Sequence, residues 1–165
     1  MMKFMLVFPL LALLLNPALA QTNNESVDYP GFSSLVSEVD PYRQDRLIDL
    51  DTFLSYAEDR GTIILDSRSA AAFQAGHIEG AINIPFSDFT QDKLDRLLGD
   101  KSKRILIYCN NNFSDNVAPV MLKRVELALN IPTFINLYGY GYKNLYELNE
   151  TISIDDPRIE FVGGL

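Results

Sequence analysis

The chain has 165 residues, of which 47% are hydrophobic and 22% charged, with a formal net charge of −8. That length fits about one domain, and the apolar share is too high for a disordered chain. With 14 Lys and Arg against 22 Asp and Glu, a general nucleic-acid binder is excluded, because it needs clustered positive charge. One Cys and one His exclude a disulfide framework and leave too few ligands for a Cys/His zinc site.

Residues 1–20 have the form of a secretory leader. Lys3 supplies a positive start, residues 4–15 are an apolar run broken by Pro9, and Ala18-Leu19-Ala20 places small residues where a signal peptidase cuts. The run is too short to span a bilayer. Cleavage is expected after Ala20, which makes the product periplasmic or secreted. It takes out one Lys and no acid, so the remaining chain is more acidic still.

Residues 21–44 form a polar lead-in with turn signals at Tyr29-Pro30-Gly31 and Asp40-Pro41. A short helix is expected near 32–39. A strand follows at 46–50, then a helix over 51–60 capped by Asp51 and ended by Gly61. The β-branched run 62–65 predicts a strand, 69–74 a short helix, and 81–84 a strand stopped by Pro85. Leu94, Leu97 and Leu98 at helical spacing predict a helix from Thr90 or Gln91 to Leu98. The continuous apolar run 104–108 predicts a buried strand. A helix is expected from Asp115 or Asn116 to 129, a strand at 133–137, a helix at 142–148, and a tail over 153–165 with one short strand. Alternating strands and helices imply an α/β fold with a mainly parallel sheet. In such sheets ligands bind outside the carboxyl ends of the strands.

That rule points to Cys109, directly after the 104–108 strand. Asn110, Asn111, Asn112, Phe113 and Ser114 follow, and Asp115 and Asn116 are placed to cap the next helix. A thiol between a strand end and a helix N-terminus has its thiolate favoured by the dipole and free N–H groups. A curled loop turns its N–H groups inward as an anion nest, and Asn tolerates the left-handed backbone such a curl needs. The alternative is a buried, inert thiol, a common fate of free Cys. Ser114 and Asp115 fit loop donors or helix caps equally. Phe113 either walls an apolar pocket or folds beneath the loop.

Leu65-Asp66-Ser67-Arg68, Phe73 and Gly76-His77-Ile78-Glu79-Gly80-Ala81-Ile82-Asn83-Ile84-Pro85 together resemble the signature of the rhodanese homology domain. Ile107-Tyr108-Cys109 follows in the place of that family's cysteine. Phe134-Ile135-Asn136-Leu137-Tyr138-Gly139 resembles its closing strand and glycine turn. The likeness covers about residues 47–148. It implies a rhodanese-like three-layer fold with a five-stranded, mainly parallel central sheet flanked by helices. The domain is set at 45–150, with 151–165 as a C-terminal tail. It also implies that Cys109 carries a persulfide and moves sulfur from a donor such as thiosulfate to a thiophilic acceptor. The six-residue span 109–114 matches the sulfurtransferases, whereas the related phosphatases use a loop one residue longer. No Arg or Lys lies in 110–116, where active loops often carry one, and Asp115 adds negative charge. A non-catalytic binding or redox-sensing module using the same crevice is therefore the second reading.

Within the signature, Asp66 and Arg68 are expected to form a buried charge pair. His77 is expected to make a structural hydrogen bond rather than serve as a base. Tyr138, Tyr140 and Tyr142 follow the expected 133–137 strand and so either border the crevice or pack with wet hydroxyls. The partner is a small sulfur compound or a protein thiol. No cofactor, metal, nucleic acid or membrane is expected of the cleaved chain.

Overall fold

The computed structural model describes residues 26–163; the expected leader lies outside them. In chain order the elements are α1 (Tyr29–Gln44), β1 (Leu47–Ile48), α2 (Leu50–Ala57), β2 (Ile63–Asp66), α3 (Ala70–Ala75), β3 (His77–Ile78), β4 (Ala81–Asn83), α4 (Gln91–Leu98), β5 (Ile105–Tyr108), α5 (Asn130–Gly139), β6 (Leu145–Leu148) and β7 (Phe161–Val162). Five strands make one parallel sheet in the order β1-β6-β5-β2-β4, and β3 and β7 form a small antiparallel pair.

The central strand β5 is buried at all four positions. Its side chains alternate between faces. Ile105 and Ile107 join a cluster with Val39 of α1, Leu94 and Leu98 of α4, and Phe134 and Leu137 of α5. Leu106 and Tyr108 join a second cluster with Leu50 and Phe53 of α2 and with Ile152 of the tail. Burial on both faces explains why β5 reads as an unbroken apolar run, and the two clusters give the expected three layers.

The helices before β5 follow their caps. Ser69 accepts from the Ala72 amide and Thr90 from the Lys93 amide. α2 is capped by Asp49, not Asp51, because Asp49 has the extended backbone a cap requires and accepts from the Thr52 amide. The lead-in is more structured than expected. α1 runs 16 residues through Pro41, where the missing N–H costs a helical hydrogen bond. Packing compensates: Leu35, Val36 and Tyr42 lie on the α4/α5 cluster, and Tyr138 on α5 donates to Glu38.

Three expectations after β5 fail. No α-helix occupies 115–129; that stretch holds a single turn of tight helix at Val125–Leu127, and another such turn precedes it at Asn110–Asn112. Pro119 sits where the expected helix would need its first intrahelical donors. Residues 133–137 are helix α5, not strand. Pro132 falls in its first turn, where no donor is needed, and Phe134, Leu137 and Tyr138 are buried at helical spacing. Residues 145–148 are strand β6, not helix. This strand is buried on both sides between β1 and β5, so its run of apolar residues carries no clear period.

Candidate active site

Cys109 continues β5 and is fully buried. Its Sγ accepts a hydrogen bond from the Asn111 amide at 3.3 Å. The backbone amides of Asn130 and Leu129 also favour its thiolate. The helix N-terminus expected beside the thiol is therefore present, but it belongs to α5, which the chain reaches only after the connection 113–129. Burial pushes the Cys109 thiol above its ordinary value and outweighs the three amides, and the Glu147 carboxylate pushes in the same direction. The expected lowering of this thiol's pKa is thus reversed.

The loop amides do not form the expected nest. The Asn112 amide donates to the Cys109 carbonyl (3.1 Å), the Phe113 amide to the Asn110 carbonyl (3.0 Å), and the Ser114 amide to the Ile152 carbonyl (2.8 Å). Those donors are spent on the turn and the tail, which leaves the Asn111 amide on the sulfur.

The three asparagine side chains act as brackets. Asn110 Nδ2 donates to the Met121 carbonyl at 2.8 Å. Asn111 Nδ2 donates to the Lys123 carbonyl at 2.8 Å, and the Lys123 amide returns to Asn111 Oδ1 at 3.2 Å. Asn112 Oδ1 accepts from the Cys109 amide at 2.9 Å, while its Nδ2 donates to the carbonyls of Leu148 and Glu150. Asn110 and Asn111 thus hold the 113–129 connection against the cysteine loop, and Asn112 fixes the loop to the end of β6.

Phe113 folds under the loop, fully buried between Tyr108 and Phe161. The expected caps do not cap. Asp115 accepts from Ser153 Oγ and the Ile154 amide, tying the connection to the tail. Asn116 takes a positive φ of 48° and accepts from the Leu122 amide. Ser114 pairs with Ile152.

A buried polar chain runs outward from the loop. Asn130 Nδ2 donates to Asn112 Oδ1 and to Glu147 Oε1 at 3.1 and 3.0 Å. Glu147 is in turn held by both ends of the Arg43 guanidinium, on α1. None of Arg43, Asn130 or Glu147 was singled out from the sequence. The one available signal was Glu147, an acid inside an apolar run.

The signature residues take structural roles. Arg68 and Asp66 are a fully buried pair, and Asp66 also accepts from the Tyr108 hydroxyl at 2.8 Å. Arg68 reaches the carbonyls of Gly76 and Pro119, so it anchors the connection as well. His77 Nδ1 lies 2.8 Å from the Phe73 carbonyl and its ring stacks on Phe73. The tyrosines do not wall the crevice. α5 begins at the sulfur and ends at Gly139, so Tyr138, Tyr140 and Tyr142 lie at its far end, about 15 Å away at 1.5 Å per residue. Their hydroxyls bond Glu38, the Phe89 carbonyl and Asp95.

At the carboxyl ends of β2, β4 and β5, lined by the neighbouring Asn110 and Leu129 but not by Cys109 itself, lies a cleft of about 510 Å³. Ser67, Arg68, Phe86, Asn110, Lys123 and Leu129 are among the residues that line it. Among the described residues no group of three or more His, Cys, Asp or Glu is placed to hold a metal ion.

The family model for the rhodanese-like domain matches residues 49–153. Among curated proteins, the tRNA uridine(34) hydroxylase of Buchnera aphidicola subsp. Baizongia pistaciae is 26% identical over 108 residues, covering 62% of this chain and 30% of that protein. The tRNA uridine(34) hydroxylase of Yersinia enterocolitica is 30% identical over 73 residues, covering 42% and 21%. The chain therefore spans less than a third of the length of these relatives. Among solved structures, a rhodanese with anions from E. coli is 21% identical with a TM-score of 0.41, covering 62% of this chain and 99% of that one.

Proposed function

Because the chain belongs to the rhodanese-like domain family, we propose that it is an exported sulfurtransferase whose sulfur is carried on Cys109. The observation that carries this reading is the Asn111 amide seated on Sγ, with the Leu129 and Asn130 backbone amides at the start of α5 also favouring the thiolate, next to a cleft that Asn110 and Leu129 line at the carboxyl end of the sheet. Those donors stabilise a thiolate, and equally a persulfide anion. With thiosulfate as donor, the Cys109 thiolate attacks the outer sulfur. A new S–S bond forms, the old one breaks, and sulfite leaves with the bonding electron pair. A thiophilic acceptor then attacks the terminal sulfur and Cys109 departs as thiolate. The sequence supports export through its leader-like residues 1–20.

Burial of the sulfur sets a condition on this reading: the 113–129 connection must part from the loop before a donor reaches Cys109. The same burial favours a second reading, a non-catalytic module with a protected thiol. The tRNA chemistry named for the hydroxylases is not carried over. The match is confined to a fraction of their length, and a chain of net charge −8 offers little for a polyanion to bind.

The test is the intact mass of the protein after incubation with thiosulfate or with polysulfide, beside a Cys109→Ala control. A gain of one sulfur atom in the wild type alone, reversed by cyanide with release of thiocyanate, is the expected result. No gain from either donor, with the thiol intact, sinks the transferase reading in favour of the protected-thiol module.

A further inference from the structure

The 113–129 connection is amphipathic the wrong way round for a surface loop. Its polar attachments face the protein: Met121 and Lys123 offer backbone groups to Asn110 and Asn111, Asp115 binds the tail, and Asn116 closes a turn. Its apolar side chains face outward. Met121 is 62% exposed, Val125 75% and Leu127 65%, and Val117 and Leu122 are exposed too. Within the connection only Phe113, at its start, and Val120 are fully buried. Exposed aliphatic side chains gathered in one short stretch mark an interaction surface.

Charge decides what the stretch meets. The chain as a whole carries −8, yet Lys123 and Arg124 stand together in the middle of these aliphatic residues, and Glu126, the one acid on the outer side, lies 3.5 Å from Arg124 Nε in an ion pair whose two side chains are both well exposed. Aliphatic side chains flanking an adjacent pair of cations fit an interface that is apolar below and anionic at its surface. A second copy of this chain, bringing the same cations to the same place, is disfavoured by that pairing. We propose that this stretch seats on the surface of an anionic lipid bilayer, with Met121, Leu122, Val125 and Leu127 entering the headgroup boundary and Lys123 and Arg124 meeting lipid phosphates. This departs from the expectation that the cleaved chain has no membrane partner.

The chain has no Trp, so one introduced indole reports its own surroundings whatever the leader does. Full-length Val125→Trp and, separately, Leu127→Trp are mixed with phosphatidylcholine vesicles and with vesicles containing an equal share of phosphatidylglycerol. Leu97→Trp, on α4, is the reporter for adhesion elsewhere. The expected result is a blue-shifted, brightened indole at 125 and 127 with anionic vesicles only, and none at 97. Adding Lys123→Gln and Arg124→Gln to Val125→Trp is expected to weaken the response about fivefold per charge removed. Circular dichroism checks that each variant is folded. No shift at 125 and 127 with anionic vesicles overturns the proposal. So does an equal shift on neutral vesicles, or an equal shift at 97.

Discussion

Asn111 and Lys123 are joined twice, side-chain amide to backbone in both directions, and the backbone amide of the same Asn111 rests on the Cys109 sulfur. One residue therefore both positions the thiol and fastens the segment beside it. The pair has the two-bond pattern of a strand ladder, made by a side chain because the segment at 117–124 forms no strand.

Asn111→Ala keeps the backbone amide on the sulfur and removes both bonds to Lys123. Each such bond is worth about 1 kcal/mol net, so the variant is expected to lose about 1–2 kcal/mol of stability at most. The thiol should respond in step, since about 1.4 kcal/mol is tenfold in an opening equilibrium. Alkylation of Cys109 by a small maleimide is expected to rise about tenfold or more in Asn111→Ala, and further when Asn110→Ala is added. Unchanged labelling rates in both variants show that the asparagines do not control access to the sulfur.

The thiol's pH dependence follows from its burial. The Cys109 pKa lies above the ordinary thiol value in the folded protein, so the folded state holds its proton at pH values where the unfolded chain has lost it. Stability then falls as pH rises above about 8.5, the unfolded thiol value. Tyr108 and Tyr142 are also pushed up, but their contribution begins only above about 10, where free tyrosine ionises. Denaturant midpoints measured between these limits are expected to decline in the wild type and to flatten in Cys109→Ser. A wild-type profile as flat as that of the variant removes the argument.

Asp66→Ala tests the signature pair. Arg68 is buried with its charge balanced by Asp66, and the Tyr108 hydroxyl loses its acceptor in the same step. Leaving a buried charge unpaired costs about 3–5 kcal/mol. The variant is expected to unfold at a far lower denaturant midpoint, or not to accumulate. A loss within about 1 kcal/mol shows that water reaches Arg68.

Much of the first part of the domain was legible in the sequence, because caps, β-branched runs and the Gly-His-Ile signature each act locally. Helices α3 and α4 begin within a residue of expectation, and so do β2 and β5. The misreadings begin after Cys109, where tertiary contacts overrule local preference. Thr133-Phe134-Ile135 carries strand-forming side chains but packs as a helix against α1, and Leu145–Leu148 pairs with two strands that no local pattern reveals. The site followed the same division. Cys109 was found from its place after a buried strand. The source of its helix terminus was missed, because the 113–129 connection puts α5 beside the sulfur from about twenty residues away.

Glu147 joins these levels. It sits on β6, binds Arg43 of α1, accepts from Asn130 at the start of α5, and raises the Cys109 pKa. Glu147→Gln keeps the shape and removes the charge. Arg43 is half-buried, so its orphaned guanidinium retains some water, and the expected loss is below the full cost of a buried unpaired charge, about 2–3 kcal/mol. The thiol should move the opposite way from stability. Without the carboxylate, the Asn111, Leu129 and Asn130 amides act against burial alone, and the midpoint of the Cys109 alkylation profile is expected to fall. Arg43→Met supplies the contrast, since it destabilises the same network while leaving the carboxylate in place. A lowered midpoint in Glu147→Gln but not in Arg43→Met assigns the effect to charge. Equal shifts in both variants assign it to loosened packing, and Glu147 then has no electrostatic hold on the sulfur.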